Sequence, residues 1–183
     1  MPGQIKMKDL DKNGVLDDHD KVLLGSKDPA FLFGFNNTVR YKNFDLNIYL
    51  YGEVNALKGA SYYDDWTTMG YGFTQGRNSS QGFKDTWRHD NQHAKYANIT
   101  GVGPDGAGDY FIKKISYLRC RNITLGYTIP VSNKILNNIR VYADVNNPFV
   151  LTNWTGLDPE TDNGNSYAYP NVTSFSLGVD ITF

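Results

Sequence analysis

Thr173-Ser-Phe-Ser-Leu-Gly-Val-Asp-Ile-Thr-Phe183 is the stretch whose parity decides the fold. Its odd positions read Thr, Phe, Leu, Val, Ile, Phe, and its even positions Ser, Ser, Gly, Asp, Thr. A strand sends successive side chains to opposite faces, so this ribbon has one apolar and one polar face. A soluble sandwich can use such a ribbon. A membrane barrel requires it, because lipid-facing and lumen-facing positions alternate along every strand.

The same alternation recurs upstream. Phe31, Phe33, Phe35, Val39 and Tyr41 share one parity, and a short Lys42-Asn43 turn follows. Phe44, Leu46, Ile48 and Leu50 then alternate with Asp45, Asn47, Tyr49 and Tyr51. Each arm has about ten residues, the span of a tilted transmembrane strand. Farther on, Ile123, Leu125, Tyr127 and Ile129 alternate with Thr124, Gly126 and Thr128, and Ile139, Val141, Ala143 and Val145 with Arg140, Tyr142, Asp144 and Asn146. One conflict stands out. The parity of Leu125 carries Arg119 and Arg121 to the apolar side, so either they sit among head groups or a bulge shifts the register.

The expected fold is therefore all-β, with five antiparallel strands at 31–41, 44–53, 111–129, 139–151 and 173–183. The connections run short, long, short, long, which suits tight periplasmic turns and long extracellular loops at 54–110 and 152–172. Bacterial barrels have an even number of strands, at least about eight, and an open sheet in lipid leaves backbone groups unsatisfied. The five strands are thus expected to be the C-terminal portion of a larger transmembrane β-barrel.

Composition agrees. Among 183 residues there are 13 Tyr, 10 Phe and 18 Gly, and charged residues make up 20%, below the usual share of about 25%. The net charge of -1 gives no reason to expect a nucleic-acid partner. The mean hydropathy of -0.49 is compatible with strands that are only half apolar. No apolar run approaches the roughly 18 residues of a transmembrane helix. The first residues hold no apolar signal core, so an export signal is expected upstream. The single Cys120 excludes an internal disulfide framework and reads as a small buried side chain.

Residues 1–30 read as an extracellular loop, and within it residues 9–20 have calcium-loop spacing. Hard oxygen ligands are needed on alternate residues of a tightly curled loop. Asp9, Asp11 and Asn13 supply the first three, Gly14 permits the turn, and Val15 offers its carbonyl. Asp17 acts through a water, and Asp20 closes the shell in place of the usual bidentate Glu. The expected cofactor is Ca²⁺; a solvated acidic turn is the plain alternative. A full helix–loop–helix is not expected, because Gly3–Lys8 is too short for the entering helix.

Several segments resemble SusC/RagA-type TonB-dependent outer-membrane transporters of Bacteroidetes, near their C-terminal end. They are residues 8–20, Phe33-Gly-Phe-Asn-Asn-Thr38, Tyr41-Lys-Asn-Phe-Asp-Leu46, Ser116-Tyr-Leu-Arg119, Asn122-Ile-Thr-Leu-Gly-Tyr-Thr-Ile-Pro130, Thr155-Gly-Leu-Asp-Pro-Glu160 and the closing strand. The resemblance implies a 22-stranded barrel with an internal plug in the bacterial outer membrane. It also implies import of glycan or peptide with a SusD-like surface lipoprotein, driven by the TonB complex through N-terminal parts this sequence lacks. Outer-membrane lipid would be a further partner.

No nucleophile–base motif occurs, so no enzyme is expected. His89 and His93 are four apart but lie in loop-like sequence, and read as solvated. Trp66, Trp87 and Trp154 are candidate substrate-stacking residues; loop packing is the plainer account of each. Arg40, Asp45, Glu53, Arg140, Asp144 and Asp180 are expected to face the lumen or plug. The rival reading is a secreted, calcium-stabilised, carbohydrate-binding β-sandwich, which needs about seven strands with evenly spaced turns.

Overall fold

The structure, a computed structural model, describes residues 2–59, 81–98, 109–110, 112–131, 136–161 and 169–183. Five strands form one antiparallel sheet in the order β1-β2-β3-β4-β5: β1 Phe31–Tyr41, β2 Phe44–Lys58, β3 Lys113–Ile129, β4 Asn138–Thr152 and β5 Ser174–Thr182. β2 runs five residues past the expected end at Glu53, into sequence first read as loop. The chain divides into two units. One holds Met1–Asp28, Leu57–Lys114 and Thr155–Tyr169; the other, the sheet unit, holds Pro29–Ala56, Ile115–Trp154 and Pro170–Phe183.

Register in the sheet follows the two-residue turn and the hydrophobic parity. β1 pairs with β2 from Phe31 opposite Val54 to Tyr41 opposite Phe44, closing on Lys42 in the left-handed region at φ 52°. β4 pairs with β5 from Asn138 opposite Thr182 to Asn146 opposite Ser174. Residues directly opposite one another share a face. One face therefore carries Val39 with Leu46, Tyr127 with Val141, Val141 with Val179, and Ala143 with Leu177. The other carries Arg40 with Asp45, Thr38 with Asn47, Thr124 with Asp144, and Arg140 with Asp180.

The apolar face is not an interior. Phe175, Leu177 and Val179 are 77%, 87% and 59% exposed. Leaving a large aliphatic or aromatic side chain in water forgoes about 1.5–3 kcal/mol, so a stripe of them requires a nonaqueous cover. The described residues form one sheet rather than two facing layers, which is not the arrangement of a sandwich. The small buried cluster of the sheet unit, Ala56, Ile115, Tyr117 and Trp154, gathers Tyr51 and Val150 around it.

The second unit is held by local hydrogen bonds. Thr86 is fully buried and its hydroxyl donates to the Phe83 carbonyl, which ends the short 3-10 turn Gln81–Asp85. Thr86 also bridges to Tyr96, and the Trp87 amide donates to the Tyr96 carbonyl. The Lys58 ammonium donates to the carbonyl of buried Pro159.

Candidate functional site: the polar face and the acidic loop

The centre of the polar face is a charge ladder. Arg140 on β4 donates from Nε to Asp45 Oδ1 at 2.9 Å and from Nη2 to Asp45 Oδ2 at 2.6 Å, a two-pronged grip on a residue of β2. Its Nη1 donates to Asp180 Oδ2 on β5 at 3.1 Å. The guanidinium also lies 5.0 Å from the Tyr142 ring centre. Arg140 can cross β3 because Gly126 stands between. A Cβ there would come within 2.5 Å of Arg140 Nη2 and Asp45 Oδ1. Planar forked donors suit a carboxylate, and the pair is held in a partly dry setting where such bonds are strong.

A second network, centred on one carboxylate, follows along the same face. Asp144 Oδ1 accepts from Thr124 Oγ1 at 2.6 Å and Asn122 Nδ2 at 2.5 Å, and its Oδ2 accepts from Asn146 Nδ2 at 2.8 Å. On the first hairpin, Asn47 Nδ2 donates to both Asn36 Oδ1 and Thr38 Oγ1, each at 2.9 Å. Donors and acceptors satisfy one another, so this face is built to meet water or a polar surface.

The conflict over Arg119 and Arg121 is settled by a bulge. Asn122 pairs with Asn146 but Cys120 pairs with Phe149, so the register slips between them. Asn147 sits in the slip at φ 49°, followed by Pro148, which has no amide to donate. Beyond the slip, the odd residues of β3 join the polar face. The Arg121 guanidinium lies 5.6 Å from the ring centre of Tyr51, and Tyr117 lies 6.2 Å from that same ring. Tyr51 donates to Glu53 Oε1 at 3.1 Å. Phe149 and Leu151 are exposed, while Arg119 is 2% exposed. The sequence signal for where the bulge lies is Asn146-Asn147-Pro148 inside an alternating strand.

In the other unit, the acidic loop is tightly curled. Asp9 accepts from the Lys12 amide at 2.6 Å and the Gly14 amide at 2.8 Å, with Gly14 at φ 81°. Asp11 accepts from the Asn13 amide and side chain, and Asn13 Oδ1 from the Val15 amide at 2.7 Å. Asp20 accepts from the Leu10 amide at 2.6 Å and the Asp17 amide at 3.0 Å. Those amides hold its carboxyl below the usual range, Asp17's first and Leu10's second. One carboxylate oxygen each from Asp9, Asp11 and Asp20 lies within 4.8 Å of the others. Asp17 instead caps the Asp18–Asp20 turn, accepting from the His19 amide at 2.8 Å.

The aromatic candidates separate. Trp154 is 6% exposed in the sheet unit's cluster, so it packs. Trp87 is half-buried over Gly3 and edge-on to His89 at 5.4 Å. Trp66 lies outside the described residues. His89 and His93 are exposed.

An open antiparallel sheet with one apolar and one polar face is the architecture of a transmembrane-type barrel wall. The comparisons agree. The chain is 34% identical over 180 residues to the TonB-dependent receptor SusC of Bacteroides thetaiotaomicron, covering 96% of this chain and 17% of that receptor. It is 29% identical to the TonB-dependent receptor P3 of Formosa agariphila, covering 100% of this chain and 19% of that receptor. In fold it matches the RagAB peptide transporter with a TM-score of 0.74 at 22% identity, over 86% of this chain and 18% of that one. RagAB in the 'closed-closed' state gives 0.76 at 23% identity over the whole chain. No family model matches. In sequence and fold the chain is a segment of a SusC/RagA-type TonB-dependent receptor. It spans between 17% and 20% of the length of these relatives.

Proposed function

We propose that the chain forms part of the barrel wall of a TonB-dependent nutrient importer in the bacterial outer membrane. The apolar face meets outer-membrane lipid, and the polar face lines a plugged lumen. The chain acts as a wall, with no catalytic step of its own. The single observation that carries this is the exposed apolar face backed by the ladder of Asp45, Arg140 and Asp180. Within the whole receptor, residues 1–30 and the long connections lie on the outer side, towards a SusD-like lipoprotein. Energy comes from the TonB complex through the rest of the receptor. The cargo is a glycan or a peptide; the similarity to SusC and to the RagAB peptide transporter supports that range.

The test is assembly of the whole receptor. Leu46→Arg and Val179→Arg place a cation on the lipid face, at a cost of about 2–4 kcal/mol near the midplane, and should block membrane assembly. Ser176→Arg, on the polar face, should assemble. Equal outcomes on both faces would refute the wall reading.

We further propose that the acidic loop holds Ca²⁺ through Asp9, Asp11, Asn13, Val15 and Asp20, with Asp17 reaching the ion only through a water. The convergence of Asp9, Asp11 and Asp20 supports it. All-oxygen donors in a flexible loop suit a hard cation. The bound ion would pin the segment that enters β1.

A further inference from the structure

At the hairpin end of the polar face the sheet unit holds a pocket of about 410 Å³. Arg40, Lys42, Asn43, Thr128, Asn138 and Arg140 line it, with Asp45. The hairpin turn is fastened over β3 by the Thr128 amide, which donates to the Asn43 carbonyl at 2.8 Å. Three cations thus share a wall with one carboxylate. That carboxylate is already gripped by Arg140, which also holds Asp180. Among the described residues, Arg40 and Lys42 form no ion pair, and Lys42 lies over the Tyr41 ring at 5.5 Å from its centre. Arg40 stands directly opposite Asp45 and acts on its charge at a distance, so Lys42, and Arg40 beyond that long-range attraction, remain for a guest.

We propose that this pocket binds a carboxylate group. The guanidinium of Arg40 offers a planar fork, Lys42 a mobile point charge, and Asn43, Thr128 and Asn138 neutral side chains that can hydrogen-bond. The Arg140–Asp45 grip next to it is a working instance of such recognition in the same wall. The volume falls within the roughly 300–1,000 Å³ of ordinary ligand sites, so it admits a whole acidic side chain with its backbone, not just a small ion. The guest is either an Asp or Glu of the receptor's own polypeptide or a free carboxylate. This goes beyond the wall assignment and needs only that the polar face is free of lipid.

Zero-length carbodiimide coupling in the detergent-solubilised whole receptor tests it, with and without added succinate, read by peptide mass mapping. A carboxylate lodged in the pocket sits at high effective concentration beside the Lys42 ammonium, so Lys42 should form its amide about tenfold more than exposed Lys27. A product with the receptor's own Asp or Glu other than Asp45 assigns the guest to the polypeptide. A product only with succinate assigns it to a free ligand. Arg40→Gln should bring the yield down to that of Lys27. Asn138→Asp, which places a fixed carboxylate at an exposed lining position and leaves Arg40 intact, should displace the guest: its product with Lys42 should fall to the Lys27 level, and any remaining coupling should be to the introduced carboxylate. A yield at Lys42 equal to that at Lys27 with and without succinate, or coupling to Asp45 alone, would overturn the proposal. So would a yield of the guest's own product indifferent to Asn138→Asp in a receptor that assembles.

Discussion

Arg140 and Asp45 are 95 residues apart in sequence, on strands that are not neighbours, yet they meet in a forked pair at 2.9 and 2.6 Å over the top of β3. The pair ties β2 to β4 independently of the backbone ladder. With Asp180 it ties in β5 as well. It lies on the polar face of the sheet.

Breaking one end should loosen that tie. Asp45→Asn removes the charge and one of the two acceptors, and leaves Asp180 as the only carboxylate in contact with Arg140 among the described residues. Hydrogen bonds to charged groups contribute roughly 1.5–3 kcal/mol, so amide exchange in β2 and β4 should quicken about ten- to hundred-fold. Hydrogen exchange on the assembled receptor measures this, and unchanged protection would show the pair to be ornamental.

Gly126 makes the crossing possible, which predicts non-additivity. Gly126→Ala in the native background drives a methyl to within 2.5 Å of Arg140 Nη2 and Asp45 Oδ1, and should destabilise by a similar amount. With Arg140→Ala and Asp45→Ala already present the obstructing atoms are gone, and the same methyl should cost little. Thermal unfolding of the four corner variants gives the coupling, expected to be about 0.5–3 kcal/mol for groups in contact.

The bulge makes a third prediction. Asn147 holds φ 49°, where Gly and Asn are tolerated and a β-branched residue is strained by about 1–2 kcal/mol. Asn147→Gly should assemble normally. Asn147→Val should lower stability and, by relaxing the slip, push Arg119 and Arg121 towards lipid. Reduced membrane assembly of Asn147→Val, with Asn147→Gly unaffected, is the expected result.

Much of this was legible in the sequence because a strand's period is two and its faces differ in chemistry. Phe175, Leu177, Val179 and Ile181 announce the apolar face of β5 without help from the rest of the chain. That Arg40, Asp45, Arg140 and Asp180 share the polar face was readable by parity too. Their pairing was not, since nothing local says that Arg140 reaches past β3 to Asp45. Parity alone left Arg119 and Arg121 open between head groups and a bulge, and the register slip decides for the bulge, since one slipped residue inverts every later assignment. The end of β2 was misplaced because Val54-Asn55-Ala56-Leu57-Lys58 includes Asn55 at φ 58°, and polar residues of that kind read as loop.

The acidic loop gives a metal prediction. Calcium added to the whole receptor should raise the protection of residues 9–20 from hydrogen exchange. Chelation should reverse it, and Asp9→Ala with Asp20→Ala should abolish it. Identical protection with and without calcium would remove the ion from the account.

The central claim is that one flank of this sheet meets hydrocarbon and the other water. Nitroxide labels placed singly at residues 174 to 182 of β5, in the reconstituted whole receptor, test it most directly. Accessibility to oxygen, which partitions into lipid, should peak at Phe175, Leu177, Val179 and Ile181. Accessibility to a water-soluble nickel chelate should peak at Ser174, Ser176, Gly178 and Asp180, out of phase by one residue. Labels that report water at every position, or shielding from both reagents at the odd positions, would contradict it.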